Sequence, residues 1–588
     1  MQLLEQLRTQ MATATFDALL MPRSDAYLNE DISPCDEYLA QLTGFTGSQG
    51  LALITREACA LFVDGRYWHQ AEQQVTGAWQ VLDAGMPRLC QWACRNLTPG
   101  AIVAMDGNRH SLKEAQALSN CLAGQGFTLK VLDHNPLEAL WANRPESPAS
   151  LVVPYPETYA GTSSKEKCLH GTHALIEQEC DALLVPSPDL VAWLLNVRGQ
   201  DIDISPLPFS RAILYKDGTL EWFIASLRLT EAEQWLPGHI TLRPPADWPL
   251  PRHPTARIWL DPLLTNACDA QRLQHHGYAL HLANSPLTQQ RACKNATESR
   301  GMRQAHLHDG IAMCRFLYEY HRSSGLAYRD EESVVRRLSH FRERDDGYRG
   351  PSFDTIAAVG INAAQPHYLP RPGSSAPLSP GQLLLIDSGA QYLQGTTDIT
   401  RTLPIASPTS RQRLLYTLTL KGHIALATCC FPVGTSGMAL DAIARRPLWE
   451  YGLDYAHGTG HGVGSYLNVH EGPHRIAKQG SNVPLEPGMV TSIEPGVYLP
   501  EEGVGVRIEN LYQVVQGHSQ GFLGFQVMTL APLALELIDF SRLDIAERQW
   551  VADYHRQIHA LLANKVEAEV ADWLRQVMLT AQDAVNAR

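Results

Sequence analysis

Apolar positions in the first part of the chain switch between helical and strand periods. Met1 to Met11 carries them at helical spacing, Ala18-Leu-Leu-Met21 is a short strand, and Leu51 to Ile54 with Ala60 to Val63 makes a strand pair. A helix follows from Tyr67 to Val75, after Asp64-Gly. Strands alternating with helical stretches predict an α/β domain. Prolines and polar residues interrupt the pattern at Trp141-Ala-Asn-Arg-Pro-Glu-Ser-Pro148, and a second unit of the same grammar begins. Ala182-Leu-Leu-Val185 repeats the first strand, and Leu190 to Val197 is an apolar helix ending at Arg198-Gly, with Gly199 as its cap. Ile213 to Ile224 is a hairpin by its Asp-Gly turn. The expected division is residues 1–148, 149–291 and 292–588.

The third region opens with Thr297 as a helix N-cap and Glu298 in the first turn, and the helix runs through Tyr320. His306 and His308 lie two apart, on different faces, and read as surface histidines. Ser410 to Cys429 and Leu440 to Tyr451 are further helices, and Val551 to Leu562 and Val566 to Leu579 have the spacing to cover a dimer face.

Between Phe353 and Asn510 acids and histidines stand in short islands among strand-like apolar residues. These are Leu383-Leu-Leu-Ile-Asp387, Gly395-Thr-Thr-Asp398, His457-Gly-Thr-Gly-His461, Ser492-Ile-Glu494 and Val506-Arg-Ile-Glu509. Asp387 and Asp398 flank Tyr392-Leu-Gln-Gly395, so a hairpin there places both on one face, opposite or diagonal. Glu494 and Glu509 repeat this around Leu499-Pro-Glu-Glu-Gly503. Carboxylates in apolar strands need a cationic partner, and four acids with one imidazole, His461, suit two divalent ions. Oxygen-dominated ligands favour manganese, with cobalt or zinc as other occupants. Two ions about 3.5 to 4 Å apart would bridge a hydroxide and aim it at a carbonyl, which is metal-assisted hydrolysis.

Bulk properties narrow the reading. At 588 residues the chain exceeds one hydrophobic core, and its formal charge of −13 without basic patches disfavours nucleic acid as a partner. Twelve cysteines show no CxxC pair and no disulfide framework, so Cys90 and Cys94, one helical turn apart, read as partly buried thiols. No stretch has the roughly 18 apolar residues of a membrane span. With no signal-like apolar core near the N-terminus, the expected location is the cytoplasm. The glycines from Gly44 to Gly50 lack the Lys-Ser/Thr ending of a phosphate loop and read as tight turns, with Asp64 and Arg66 stabilising the fold.

The five islands, in this order, resemble the metallopeptidases of the pita-bread fold. Ile386-Asp-Ser-Gly-Ala-Gln-Tyr392, Asp398-Ile-Thr-Arg-Thr402 and the string from His457 to Pro473 are most similar to the three-domain Xaa-Pro aminopeptidases. Asp36 to Gly50 and Val63-Asp-Gly-Arg-Tyr67 resemble the N-terminal domain of creatinase and aminopeptidase P. The resemblance implies two creatinase-like α/β domains followed by an α+β pita-bread domain. It implies Asp387, Asp398, His461, Glu494 and Glu509 as metal ligands and peptides with penultimate proline as substrates. It further implies a homodimer.

Matching residue by residue, His457 falls on the substrate side, and His367 and His470 border the scissile bond. Glu494 would shuttle a proton from the attacking water to the leaving nitrogen, and His367 or His470 would donate to the oxyanion. Tyr498 and Arg507 would orient substrate or the ligand carboxylates. Arg198, in a segment near the active-site mouth of that branch, is either a helix-end residue or a gate for long substrates. A dipeptide-specific prolidase, a metal-free peptide-binding scaffold and creatinase are the competing readings.

Overall fold

The computed structural model describes residues 2–586 apart from Pro254, Pro372 and Ser374. The chain forms two compact units, one of residues 1–157 with 162–291 and one of residues 158–161 with 292–588.

The first unit contains two six-stranded sheets. Strands β1 (Ala18–Pro22), β2 (Leu51–Thr55), β3 (Cys59–Val63), β4 (Trp79–Asp83), β5 (Ile102–Asp106) and β6 (Thr128–Leu132) lie in the order β4-β3-β2-β1-β5-β6. Strands β7 (Ala182–Val185), β8 (Arg211–Tyr215), β9 (Leu220–Phe223), β10 (Ile240–Arg243), β11 (Arg257–Leu260) and β12 (Ala279–Leu282) lie in the order β10-β9-β8-β7-β11-β12. The two orders are the same. So are the directions: β1–β2 and β2–β3 are antiparallel, β3–β4, β1–β5 and β5–β6 parallel, and the second sheet repeats each of them.

The helices that follow β5 and β11, Leu112–Ala123 and Ala267–His275, are capped by Ser111 and Asn266. These equivalent caps face each other in an antiparallel bridge. Leu112 N–H donates to Thr265 O at 2.8 Å and Ala267 N–H donates to His110 O at 3.0 Å. Reciprocal bonds between equivalent residues are what a two-fold relation between the sheets produces.

The second unit carries a three-stranded sheet of Ile356–Val359, Leu383–Ser388 and Ile399–Pro404, and a six-stranded sheet whose central strands are Asn510–Gln516 and Val490–Ile493. Two small sheets extend them: Tyr348–Pro351 with Ala390–Tyr392 and Gly395–Thr396, and Gly496–Leu499 with Val504–Arg507. Helices Ala296–Ser323, Ser410–Ala427 and Ile545–Leu562 contribute to one apolar cluster in which Phe316, Leu384, Ile386, Tyr416, Ile508 and Leu562 are fully buried. Each such side chain contributes about 1.5–3 kcal/mol.

Four expectations are corrected. The helix predicted over 190–197 is Pro188–Leu195, and Asn196, not Gly199, ends it in the left-handed conformation (φ 53°). Asparagine tolerates that region, and its amide also accepts from Lys167 Nζ at 2.7 Å. The long helix is capped by Asn295 rather than Thr297. Asn295 Oδ1 accepts from the N–H groups of Thr297 and Glu298, and the Glu298 carboxylate returns the bond. His306 is buried, not on the surface, with Nδ1 on Met302 O at 2.7 Å, and His308 is half-buried against Asp345. Cys90 is disulfide-bonded to Cys121, while Cys94 is an exposed thiol. Their spacing of 31 residues crosses two helices, which no local pattern reveals.

Candidate metal centre

Two strand hairpins and one glycine-rich strand bring the acids and the imidazole together. In the first hairpin Asp387 pairs with Thr400 and Ser388 with Ile399. Asp398 immediately precedes that strand, two positions from Thr400, so side-chain alternation puts it diagonal to Asp387 on one face. The chain crosses closely here, since a Cβ on Gly389 would lie 2.0 Å from Ser352 Oγ and 2.2 Å from Thr397 O. In the second hairpin Ile493 pairs with Asn510 and Gly496 with Arg507, which sets Glu494 directly across from Glu509.

His461 comes from strand Gly460–Gly462, beside Val490–Ile493. Its Nδ1 lies 2.9 Å from Gly462 O, which fixes the proton there and turns the Nε2 lone pair toward the acids. Nε2 stands 3.4 Å from Asp398 Oδ2 and 3.6 Å from Glu494 Oε1. Ligand atoms of Asp398, His461 and Glu509 all lie within 4.8 Å of one another. The Ser492 hydroxyl accepts from His461 N–H at 3.0 Å and donates to Glu494 Oε1 at 3.3 Å.

Arg507 is the guanidinium that answers this charge. It donates to Asp387 Oδ2 at 2.7 Å, to Tyr498 Oη at 2.6 Å and to Pro366 O at 3.2 Å. Tyr498 in turn donates to His457 Nε2 at 2.8 Å, and His457 Nδ1 lies 2.7 Å from Gly458 O and 3.7 Å from Glu494 Oε2. Both ring nitrogens of His457 thus face protein groups, which suits orienting Glu494 and Tyr498. Burial pushes the Tyr498 phenol up, so it keeps its proton as a donor.

Burial, and then the charges of Asp398 and Glu494, raise Asp387 to about 6 against the pull of Arg507. Glu509 is pushed well above the carboxylate range by burial first and by its three acidic neighbours next. Asp387 Oδ1 and Asp398 Oδ1 are buried and have no hydrogen-bond partner among the described residues. Crowded acids with orphaned oxygens and one oriented imidazole fit hard divalent ions.

The two remaining histidines flank this cluster. His470 is exposed, its ring edge-on to His461 with centroids 4.3 Å apart. His367 is half-buried and follows Pro366, the carbonyl that Arg507 holds. Three participants escaped the sequence reading. Thr400 bridges Arg507 and Glu509, Ser492 bridges His461 and Glu494, and Arg401 lies fully buried behind the ligands. Thr400 and Arg401 stand inside the string Asp398 to Thr402, and only its acid had a readable chemistry.

Comparisons with known proteins show the family. The profile of Metallopeptidase family M24 matches residues 300–516, that of its C-terminal region residues 521–578, and creatinase/prolidase N-terminal domain profiles match residues 4–137 and 143–298. A probable Xaa-Pro aminopeptidase P of Pyrenophora teres f. teres is 37% identical over 97% of this chain and 92% of its own. That of Aspergillus flavus is 38% identical over 94% and 88%. The crystal structure of an X-prolyl aminopeptidase from Caenorhabditis elegans, described as a cytosolic enzyme with a di-nuclear active site, superposes with a TM-score of 0.91 at 31% identity, over 98% of this chain and 99% of that one. With Asp398, His461 and Glu509 converging in a group able to hold an ion and relatives similar along nearly its whole length, the chain belongs to metallopeptidase family M24, among the Xaa-Pro aminopeptidases.

Proposed function

We propose that the protein is a metal-dependent exopeptidase that removes the N-terminal residue of peptides with proline second. The observation that carries this is the convergence of Asp398, His461 and Glu509 within 4.8 Å, beside the orphaned oxygens of Asp387 and Asp398. Asp387, Asp398, His461, Glu494 and Glu509 hold two divalent ions, manganese by the hardness of the donors. When bound, the ions neutralise the acids and activate water for attack on the Xaa-Pro carbonyl.

The chain's own groups do the rest. Glu494, 17% exposed, takes the proton of the attacking water and delivers it to the proline nitrogen. The departing nitrogen has to gain a proton to leave as a neutral amine, and Glu494 returns to it the one taken from the water. Ser492 and His457 keep the Glu494 carboxylate aimed at both positions. His470 and His367 flank the carbonyl and donate to its developing charge. Tyr498 and Arg507 position Asp387 and close the side on which the pyrrolidine sits.

The division into residues 1–148, 149–291 and 292–588, a homodimer and a cytoplasmic location complete the reading. The repeated strand order supports the first two domains, and the cytosolic relative supports the location. Among the described residues no helix is long and apolar enough to cross a membrane.

A peptide panel varying the second residue, assayed after chelation and return of manganese, cobalt or zinc, tests the function. Ala-Pro-Ala is expected to release alanine, and hydrolysis of Ala-Pro alone would favour a prolidase instead. Asp398→Ala is expected to lose metal and turnover together; persistent turnover would refute the mechanism.

A further inference from the structure

Arg401 is 0% exposed, and among the described residues none of its hydrogen bonds goes to a carboxylate. A buried guanidinium without a counter-carboxylate is costly unless every donor is satisfied, and here each is. Nη1 donates to Thr400 O at 2.9 Å and Glu509 O at 2.8 Å. Nε donates to Pro532 O at 3.0 Å, and Nη2 donates to Ala531 O at 2.7 Å, Asn510 Oδ1 at 2.8 Å and Tyr554 Oη at 2.8 Å. Two of these acceptors belong to the metal centre, for Glu509 is a ligand and Thr400 holds the Glu509 carboxylate. Asn510 opens a central strand of the six-stranded sheet, and the others belong to the segment and helix beyond it.

Tyr554 completes the arrangement from helix Ile545–Leu562. Its hydroxyl accepts from Arg401 and donates to Ala531 O at 2.9 Å or Thr529 O at 3.1 Å, while Trp550 stacks on its ring with centroids 5.3 Å apart. The phenol is thus held between Arg401, the main chain of residues 529–531 and the Trp550 ring, and it borders the guanidinium on that side.

We propose that Tyr554, acting through Arg401, is a positioning residue that sets the spacing between Glu509 and the strand that follows Asp398. The helix Ile545–Leu562 thereby tunes metal affinity without touching metal or substrate. This rests on the ligand assignment above. It differs from a purely structural role in one respect: a cap on the core would stabilise metal-free and metal-loaded protein alike, whereas a positioning pair favours the arrangement that binds.

The test compares full-length Tyr554→Phe with Val551→Ala, which loosens the same helix by deleting methyl groups from a position 0% exposed. Manganese affinity is measured by titration of the chelated protein, and melting temperature with and without manganese. Tyr554→Phe is expected to weaken manganese binding about tenfold to a hundredfold and to shrink the melting shift on loading. Val551→Ala is expected to lower both melting temperatures and leave affinity unchanged. Equal affinity in Tyr554→Phe and the parent protein, or an equal loss in Val551→Ala, would overturn the proposal. Asp398→Ala in the same series separates the two levels: manganese binding as tight as the parent's would overturn the ligand assignment itself.

Discussion

The hydroxyl of Thr400 stands between cation and acid, accepting from Arg507 Nε at 3.1 Å and donating to Glu509 Oε2 at 2.9 Å. Thr400→Val keeps the shape and removes both bonds, leaving a buried guanidinium nitrogen and a buried carboxylate oxygen short of a partner. The expected outcome is a protein that folds, with manganese retention weakened about tenfold to a hundredfold in equilibrium dialysis. Retention equal to the parent's would show that Thr400 does not orient Glu509. The difference between Thr400 and its neighbour Asp398 explains what sequence reveals at this scale. An acid in an apolar strand announces a missing cation. A threonine or arginine in the same strand is an ordinary residue until segments about a hundred positions away close around it, as residues 507 to 510 do around Thr400 and Arg401.

At the level of elements the glycine-rich strand carries the strictest demand. A Cβ on Gly462 would lie 2.2 Å from Glu471 O and 2.6 Å from His474 Cε1, so the strand bearing His461 can approach its neighbour only without a side chain. Gly462→Ala is expected to cost about 1–3 kcal/mol in urea unfolding and to reduce metal content. Gly480→Ala, where the nearest contact is an ordinary 3.8 Å, serves as the neutral comparison. An equal effect of both would remove close approach as the reason. The hairpins were legible because alternation permits few registers, and Asp387 with Asp398, like Glu494 with Glu509, came out on shared faces. Helix ends were less so. Thr297 and Asn295 are both good caps by type, and only the reach of Asn295 Oδ1 to two N–H groups decides between them.

Over the whole molecule, proton uptake should differ between metal-loaded and metal-free states. His423, His474 and His555 are buried neutral, and burial pushes them down to about 3, about 4 and about 4. Unfolding lets each take a proton near pH 6.5, so between about 6.5 and about 4 the unfolded chain binds more protons and stability falls with acid. Asp387 and Glu509 act oppositely without metal: both are raised, Asp387 to about 6, so the folded state holds protons that the unfolded chain releases, which adds stability on acidification. Bound metal removes that offset. Urea unfolding across this range is expected to show a steeper acid loss with manganese than with chelator, and identical slopes would contradict it.

The first unit also explains why its two halves look alike in shape and little alike in letters. The groups exchanged across their axis, Leu112 N–H with Thr265 O and Ala267 N–H with His110 O, are main-chain groups that every residue except proline possesses in full. A junction built from such groups is indifferent to most changes of side chain, so the two sheets keep one wiring under two different alphabets.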